Sequence, residues 1–314
     1  MITRKKQKSK SVRNTLIPSP FTIFLFMLPA FLLYAVFMVY PLVQSVIFST
    51  YEFNGLVRQD FVGFQNFEQL FSRYPINEQL PRAFLHNIYF FIGTMLIQNT
   101  LGLFFAVLLH QPRFGKRFFR TVFTVPYLIS PIVVGYLWSL MLNPLFGPVN
   151  NVLKDIGLAS LARPWMGDPA TAFPVVILVN AWMWLGYPML LFGAGLAGIE
   201  DDLREAARID GANNLQIFWW IELPLLTPVI GIITVLTFIG NFNVFGIVWA
   251  LAGSNGSPGG ATDVLGLVFY RTAFGGGADS FGLASALAVL MFIFVFSVSI
   301  VIQGSFRRLE NRIQ

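Results

Sequence analysis

Six long runs of apolar residues, none of them containing Asp, Glu, Lys or Arg, alternate with polar segments along this chain. At a rise of about 1.5 Å per residue, a helix over each run is long enough to cross a hydrocarbon core about 30 Å thick. The pattern therefore predicts an all-α polytopic membrane protein with six transmembrane helices. The runs cover approximately residues 21–47, 84–109, 121–142, 173–198, 225–251 and 281–303.

The polar segment between the fourth and fifth runs, residues 199–224, has the pattern of two short helices joined by a bend. Asp202 and Glu205 have the spacing of a capping box, in which two side chains satisfy backbone N–H groups at the start of a helix. Gly211 follows a group of good helix formers, and glycine accepts the backbone conformations that a turn requires. We predict a first helix capped by Asp202 and a bend at Gly211.

A second short helix is predicted directly after this bend. Asn213 and Gln216 repeat the capping-box spacing. The helix should end before Pro224, because the residue that precedes a proline is pushed away from the helical conformation. Residues 218–221, with the sequence FWWI, are too apolar to face water together. The segment is therefore expected to present a contact surface.

The composition supports the membrane prediction. Hydrophobic residues make up 55% of the chain, charged residues only 11%, and the mean hydropathy is +0.67, whereas about a quarter of the residues of a soluble domain are charged. The net charge of +6 does not indicate nucleic-acid binding, because the lysines and arginines cluster at the ends of apolar runs. The chain has no cysteine and two histidines, which excludes disulfides and disfavours a Cys/His metal site.

The distribution of positive charge predicts the orientation in the membrane. Fifteen of the 21 lysines and arginines lie in the N-terminal segment, the link between the second and third runs, the 199–224 segment and the C-terminal segment. Since Lys and Arg are enriched on the cytoplasmic side, these four segments should be cytoplasmic. We predict a basic cytoplasmic tail over residues 1–20, a six-span domain over 21–304 and a cytoplasmic tail over 305–314.

The chain shows no pattern for catalysis or ATP hydrolysis. Its Gly115-Lys116 pair lacks both the preceding glycine and the following Ser or Thr of a phosphate-binding loop. Charges within spans mark ion pathways, and the apolar runs contain none, which weakens the alternative of an ion-coupled carrier. His86 and His110 lie near the ends of runs and are interpreted as interfacial side chains. We predict a protein that is not an enzyme and that holds no cofactor or metal itself.

The sequence EAARIDGA, followed after a short spacer by FWWIELPLLTP, resembles the characteristic cytoplasmic loop of the membrane subunits of ATP-binding-cassette importers. The flanking sequence is similar to the larger permease subunit of importers for maltose, glycerol phosphate and related solutes. In that family the loop docks into a cleft on the ATPase subunit. Glu205 either contacts the ATPase or only completes the capping box. The resemblance implies ATPase-coupling roles for Glu205, Ala206, Ala207, Asp210, Gly211, Ala212, Phe218, Ile221, Leu223 and Pro224.

Two stretches beside this loop, WMWLGYPML and TFIGNFNVF, resemble those that contain the intramembrane sugar pocket of maltose-type permeases. Sugar hydroxyls need hydrogen-bond partners, and sugar ring faces stack on aromatic side chains. The alternative is that Asn241 and Asn243 form hydrogen bonds between helices. Met189 and Gly240 stand where the family has bulkier aromatic residues, so the solute is not specified. The implied substrate-path residues are Leu185, Gly186, Tyr187, Met189, Thr237, Gly240, Asn241 and Asn243.

The resemblance covers roughly residues 21–304 and implies a permease subunit of an ATP-driven, binding-protein-dependent sugar importer that works by alternating access. The implied partners are a second homologous permease, two subunits that bind ATP and magnesium, an extracytoplasmic solute-binding protein, the bilayer of a bacterial-type cell membrane and a small carbohydrate, with no nucleic acid. The glycine-rich segment 252–280 resembles an external loop that contacts the binding protein, or it is an ordinary flexible loop. An ion-coupled secondary carrier and a receptor or scaffold without transport are the alternatives from other classes.

Overall fold

The structure, a computed structural model, describes residues 20–110, 115–277 and 280–313, with side chains as far as Asn311. Nearly all of the predicted basic tail, residues 1–19, and part of the basic link, residues 111–114, lie outside the described residues. The elements are α1 (Pro20–Phe48), β1 (Tyr51–Asn54), β2 (Val57–Phe61), α2 (Gln65–Ser72), α3 (Ile76–His110), α4 (Lys116–Leu128), α5 (Pro131–Met141), α6 (Pro148–Asp155), α7 (Pro169–Trp184), α8 (Gly186–Ala197), α9 (Asp201–Ile209), α10 (Asn214–Leu225), α11 (Thr227–Phe242), α12 (Gly246–Ala252), α13 (Leu265–Phe274) and α14 (Ser280–Ile313).

Among the described residues, three helices are long and apolar enough to cross a membrane without a break: α1, α3 and α14. Three helix pairs reach that length together but are bent, by 100° between α4 and α5, 45° between α7 and α8, and 65° between α10 and α11. Counting each bent pair as one span gives six, the number that the sequence predicts. The chain is a polytopic helical membrane protein.

The three bends occur where proline interrupts the backbone hydrogen bonds. Pro131, Pro188 and Pro228 each lie in the first turn of the second helix of their pair, where a missing N–H group is tolerated. Ser130, just before Pro131, has the extended conformation (ψ 135°) that a following proline favours. The third predicted span is therefore not one straight helix.

The fifth predicted span, residues 225–251, is wrong at its C-terminal end. Helix α11 ends at Phe242, the backbone at Phe245 has left the helical region (φ −144°), and the remaining apolar residues form the separate helix α12. Helix α12 packs against α5 at Gly135, where an added Cβ would lie 2.7 Å from the Cβ of Ala250. Apolar composition does not distinguish a continuing span from a helix that turns back into the protein.

The all-α prediction is confirmed, and the polar segment after the first span adds only a small antiparallel hairpin of β1 and β2. Gly55, with φ of 64°, turns the hairpin. The buried Asn66 on α2 donates from Nδ2 to the carbonyl oxygens of Ser49 and Tyr51, 2.9 Å each, and so fixes the hairpin to the helix. Strands of four and five residues have too few positions for an alternating pattern to be recognised in the sequence.

Other polar segments also contain helices that the sequence analysis did not predict. Helix α3 begins at Ile76 rather than near residue 84, α6 lies within residues 143–171, and α13 lies within the glycine-rich segment. Helix α13 is packed by its apolar residues: Leu265 is 3% exposed, and Leu267 and Val268 are fully buried. The glycine-rich segment is thus partly ordered structure rather than an ordinary flexible loop.

Candidate functional site

The segment between α8 and α11 contains the two helices and the bend that the sequence predicts. Helix α9 ends in a left-handed turn at Gly211, with φ of 90°. The N–H of Ala212 donates to the carbonyl oxygen of Ala207 (2.9 Å) and the N–H of Gly211 to that of Arg208 (3.1 Å). This pair of bonds is a Schellman motif, in which glycine is preferred because a Cβ disfavours the positive φ. The role of Gly211 as the bend is confirmed.

The two predicted capping boxes have different outcomes. Asn213 and Gln216 form theirs: each side chain accepts a hydrogen bond from the other residue's backbone N–H, at 2.9 and 2.8 Å. Asp202 and Glu205 do not, because α9 begins at Asp201 and its N-cap residue makes no side-chain hydrogen bond. The prediction of a box at Asp202 was therefore wrong.

Helix α10 does not end before Pro224, as predicted, but continues to Leu225. It contains a π-helical turn over Phe218–Glu222. In a regular α-helix the ring of Pro224 would clash with the carbonyl group of Trp220, four residues earlier. That residue lies within the wider turn, which accommodates the proline without ending the helix. The chain then bends at Leu226 into α11.

A buried ion pair that the sequence analysis did not identify holds this segment to the membrane domain. Arg204 is 6% exposed and its Nε lies 2.8 Å from Oε1 of Glu222, which is 9% exposed. The same guanidinium donates to Oδ1 of Asp201 (2.8 Å) and to the carbonyl oxygens of Ile199 (3.0 Å) and Leu196 (2.8 Å). One side chain therefore connects the end of α8, the start of α9 and the π-turn of α10.

The outer face of the two helices carries exposed apolar side chains beside the predicted coupling residues. Ile209 is 86% exposed, Trp220 81% and Leu215 67%. Such large apolar side chains, grouped on a short two-helix segment, are typical of a contact surface. Of the predicted coupling residues, Glu205, Ala206, Asp210 and Gly211 are exposed, while the half-buried ones are Ala207, Ala212, Phe218, Ile221, Leu223 and Pro224.

A cavity of about 520 Å³ lies between α3, the α4–α5 bend, α7, α8 and α11. Its wall combines side-chain amides, a threonine hydroxyl and aromatic rings, and none of its lining residues is charged. Tyr127, Trp184 and Tyr187 form one aromatic cluster there, with ring centroids 5.6 to 6.4 Å apart. The lining residues are Gln98, Tyr127, Pro131, Asn180, Trp184, Tyr187, Leu236, Thr237, Gly240, Asn241, Asn243, Val244, Phe245, Gly246 and Ile247.

Five of the eight predicted substrate-path residues line this cavity: Tyr187, Thr237, Gly240, Asn241 and Asn243. The other three do not. Leu185 is buried at the bend between α7 and α8, Gly186 approaches the backbone of residues 123–124 too closely for any side chain, and Met189 packs in an apolar cluster. The cavity is thus lined by the predicted residues of α11, whereas Gly186 and Met189 of α8 contribute to helix packing.

The predicted interhelical hydrogen bonds of the two asparagines are not present among the described residues. Asn243, directly after α11, donates from Nδ2 to the carbonyl oxygen of Ile239 on that helix (2.8 Å). The buried Nδ2 of Asn241 has no hydrogen-bond partner within the described part of the chain. The interhelical bond runs instead from Asn87 Nδ2 on α3 to the backbone oxygen of Asn241 (2.7 Å).

A second buried carboxylate lies at the opposite end of the domain from Glu222. Asp263, 1% exposed, is paired through Oδ1 and Oδ2 with Arg271 on α13 (2.7 and 2.9 Å) and through Oδ2 with Arg82 on α3 (3.1 Å). His86 Nδ1 lies 2.7 Å from the backbone oxygen of Asp263, and its ring packs on Phe173 at 4.6 Å. His86 is thus a half-buried side chain that packs on Phe173.

Comparison with known proteins identifies the family. Residues 98–314 match the family described as binding-protein-dependent transport system inner membrane component. The chain belongs to this family. It is therefore a membrane-embedded permease, which is a transport subunit. The predicted resemblance to importer permeases is confirmed.

Relatives extend the match over nearly the whole permease. It is 34% identical over 291 residues to the probable ABC transporter permease protein YurN of Bacillus subtilis, covering 92% of this chain and 95% of the relative. It is 32% identical to the trehalose/maltose transport system permease protein MalF of Thermococcus litoralis, covering 91% and 94%. A chain of a bacterial ABC transporter that imports the acidic polysaccharide alginate has the same fold, with a TM-score of 0.79 at 22% identity and coverage of 92% and 96%.

A polar cavity residue that the sequence analysis missed is Gln98, and Asn99 lies beside it in the chain. Gln98 and Asn99 lie in a π-helical turn of α3 (Met95–Asn99), and both are 5% exposed. Asn99 Nδ2 donates to Oγ1 of Thr237 on α11 (3.0 Å). Two adjacent amides in the middle of an apolar run were the available signal, because amides within a span are placed for use or for helix contact.

Proposed function

We propose that this permease is the membrane-spanning subunit of an ATP-driven, binding-protein-dependent importer for a neutral carbohydrate. The family supports transport, and two kinds of relative support the solute class: the Thermococcus litoralis protein is named for trehalose and maltose, and a relative from Thermoanaerobacterium thermosulfurigenes for starch degradation products. The function is movement of the solute between two accessible states rather than bond chemistry.

The observation that carries the solute class is the uncharged, polar and aromatic lining of the cavity. Amides and hydroxyls supply directed donors and acceptors for sugar hydroxyls, and the cluster of Tyr127, Trp184 and Tyr187 supplies ring faces for stacking. A volume of about 520 Å³ is in the range of small-molecule sites. No lysine or arginine among the described lining residues could pair with a carboxylate, which favours a neutral sugar over a uronate.

The second element of the proposal is the docking of an ATPase on the two-helix segment of residues 199–226. Its exposed apolar face fits a cleft of a partner protein, and Arg204 holds the segment firmly to α8 and α10. A rigid connection of this kind transmits a displacement of α9 to the spans that line the cavity. Glu205 is exposed and therefore free to contact the partner, since it does not form the predicted capping box.

The partners follow from the same proposal. Two ATP-binding subunits would bind ATP and magnesium on the cytoplasmic side, a second homologous permease would complete the path, and an external solute-binding protein would deliver the sugar. Both termini and the 199–226 segment would then be cytoplasmic, in agreement with the distribution of Lys and Arg. The glycine-rich segment with α13 would face outward, where the delivered binding protein docks. A solved complex of the alginate importer includes its solute-bound periplasmic protein.

Thiol protection tests the proposed docking surface. The chain has no cysteine, so Ile209→Cys introduces a single reactive thiol on the exposed face of the segment, and Leu145→Cys, at a side chain 87% exposed elsewhere, is the matched control. In complexes purified with a mild detergent, a co-purifying ATPase should protect Cys at position 209 from alkylation and leave position 145 reactive. Equal reactivity of both thiols in the intact complex would contradict the proposal.

A further inference from the structure

Two residues that line the cavity, Asn241 and Gln98, have buried amide atoms without a hydrogen-bond partner among the described residues. These atoms are Nδ2 of Asn241 on α11 and Oε1 of Gln98 on α3, and both residues are only 5% exposed. Buried polar atoms are nearly always paired, because leaving one unpaired loses its hydration without replacement. Two such atoms in the wall of one cavity, one a donor and the other an acceptor, therefore indicate a ligand.

The π-helical turn of α3 explains why Gln98 presents its oxygen. Gln98 Nε2 donates to Oδ1 of its neighbour Asn99 (3.3 Å), and Asn99 Nδ2 donates to Oγ1 of Thr237 (3.0 Å). One N–H of the Gln98 amide is thus used, and its oxygen has no partner among the described residues. Thr237 and Asn241 are four residues apart and share one face of α11. Gln98 is thus linked through Asn99 and Thr237 to the helix that carries Asn241, and both Gln98 and Asn241 line the cavity.

We propose that Gln98 contacts the solute and that, with Asn241, it forms a subsite for one hydroxyl group. A hydroxyl both donates and accepts, so it can accept from Asn241 Nδ2 and donate to Gln98 Oε1 at the same time. This inference rests on the proposed transport function and specifies its solute: a neutral compound with a hydroxyl at this position. Asn99 acts through Gln98 and Thr237 as a positioning residue.

The same pair of atoms selects against charged groups. A carboxylate only accepts, so it would satisfy Asn241 and place its negative charge against the oxygen of Gln98. An ammonium group only donates and would leave Asn241 unpaired. Sites that hydrogen-bond a substrate hydroxyl discriminate strongly against analogues that cannot restore both bonds, because the protein's own polar groups are then left unpaired. The permease should therefore bind neutral sugars and reject uronates.

Binding to the purified importer complex, without its solute-binding protein, tests the subsite directly. Maltose and trehalose serve as neutral probes and a mannuronate disaccharide as the acidic one, and affinity is read from ligand-induced thermal stabilisation of the complex. Wild type should bind at least one neutral probe and should not bind the uronate. Gln98→Met, which keeps the chain length and removes the amide, should lower affinity for the neutral probe about tenfold. Gln303→Met, at an exposed position on α14, should leave it unchanged.

A double-variant comparison guards against a purely structural effect of Gln98→Met. Because both atoms would bind the same hydroxyl, Gln98→Met combined with Asn241→Leu should cost far less affinity than the two single changes added together. Additive losses, an unchanged affinity in Gln98→Met, uronate binding as tight as neutral-sugar binding, or no binding of either neutral probe to wild type would each overturn the inference. Failure of the proposed function is a different result: no ATP-dependent uptake in wild type, even where neutral probes bind.

Discussion

The two polar centres of this permease, one around Arg204 and one in the cavity, differ in how completely their hydrogen bonds are formed. Arg204 uses its guanidinium on two carboxylates and two backbone carbonyls, and its partner Glu222 is buried with it. In the cavity wall, Gln98 and Asn241 each keep a buried polar atom without a partner among the described residues. A saturated centre, in which the polar groups are hydrogen-bonded, stabilises the fold. An unsaturated centre, in which some polar atoms lack a partner, is arranged to bind a ligand.

The difference separates mechanical from binding roles within one chain. Residues of the saturated centre should govern stability and the connection of α9 to the spans. Residues of the unsaturated centre should govern solute affinity with little or favourable effect on stability, since their unpaired atoms already cost free energy in the fold. Substitutions in the two centres therefore have opposite expected effects on the free energy of unfolding.

The largest effect is expected from Arg204→Met. The change leaves the buried carboxylate of Glu222 without its partner, and breaking a buried ion pair costs about 3–5 kcal/mol. Denaturation of the purified complex should show this loss, together with poor recovery of ATPase. The matched control is Arg204→Met combined with Glu222→Met, which removes both charges and should restore most of the stability. An equally unstable double variant would show that the pair's charge is not the cause.

The next largest effect is expected from Gly211→Val. A β-branched residue at φ of 90° is strained by about 1–3 kcal/mol, although space for its Cβ is free. The bend should rearrange, and solute-stimulated ATP hydrolysis and uptake should fall together while the protein remains in the membrane. Gly211→Asn is the control, because asparagine tolerates positive φ better than other non-glycine residues. Normal solute-stimulated ATP hydrolysis and uptake in Gly211→Val would show that the bend is not needed to couple the ATPase to transport.

A smaller effect of opposite sign is expected from Asn241→Leu. The substitution removes a buried, unpaired amide nitrogen, so the free energy of unfolding should rise by about 1 kcal/mol or stay unchanged. Solute affinity should nevertheless fall, as judged from the concentration dependence of uptake. A clear loss of stability with unchanged affinity would instead assign Asn241 to helix packing.

The smallest change in stability is expected from Glu205→Gln. The side chain is exposed, and no hydrogen bond or ion pair is found for it in the described part of the chain, so unfolding should change by about 0.5 kcal/mol or less. If the carboxylate contacts the ATPase, affinity for that subunit should fall and should become less dependent on salt. Unchanged affinity for the ATPase at low salt would remove Glu205 from the contact.

Local sequence patterns predicted the bend and the second capping box because both depend on residues three positions apart or on the backbone of one glycine. The first box did not form because α9 begins at Asp201, whose carboxylate pairs with Arg204 three residues later, and Arg204 is in turn held by the distant Glu222. The end of α10 at Pro224 was mispredicted because a π-turn accommodates the proline. Neither the π-turn nor the contact between Arg204 and Glu222, 18 residues apart, is indicated by a short sequence pattern.

The cavity was only partly predictable for a similar reason. Residues on α11 were found because the stretch TFIGNFNVF resembles the one that contains the sugar pocket of maltose-type permeases. Gln98 was missed because its placement depends on a π-turn in α3 and on a bond network that ends at Thr237, 139 residues further along the chain. The fifth span was predicted to be too long because α12 is as apolar as a span but packs against α5.

The most direct test measures solute uptake and ATP hydrolysis in the same proteoliposomes, which contain the purified complex and its loaded binding protein, with ion gradients collapsed. The account predicts uptake that requires ATP, an Asn241→Leu variant that loses more uptake than ATP hydrolysis, and a Gly211→Val variant that loses both in proportion. Uptake that continues without ATP, or two variants that change the ratio of uptake to hydrolysis in the same way, would contradict it.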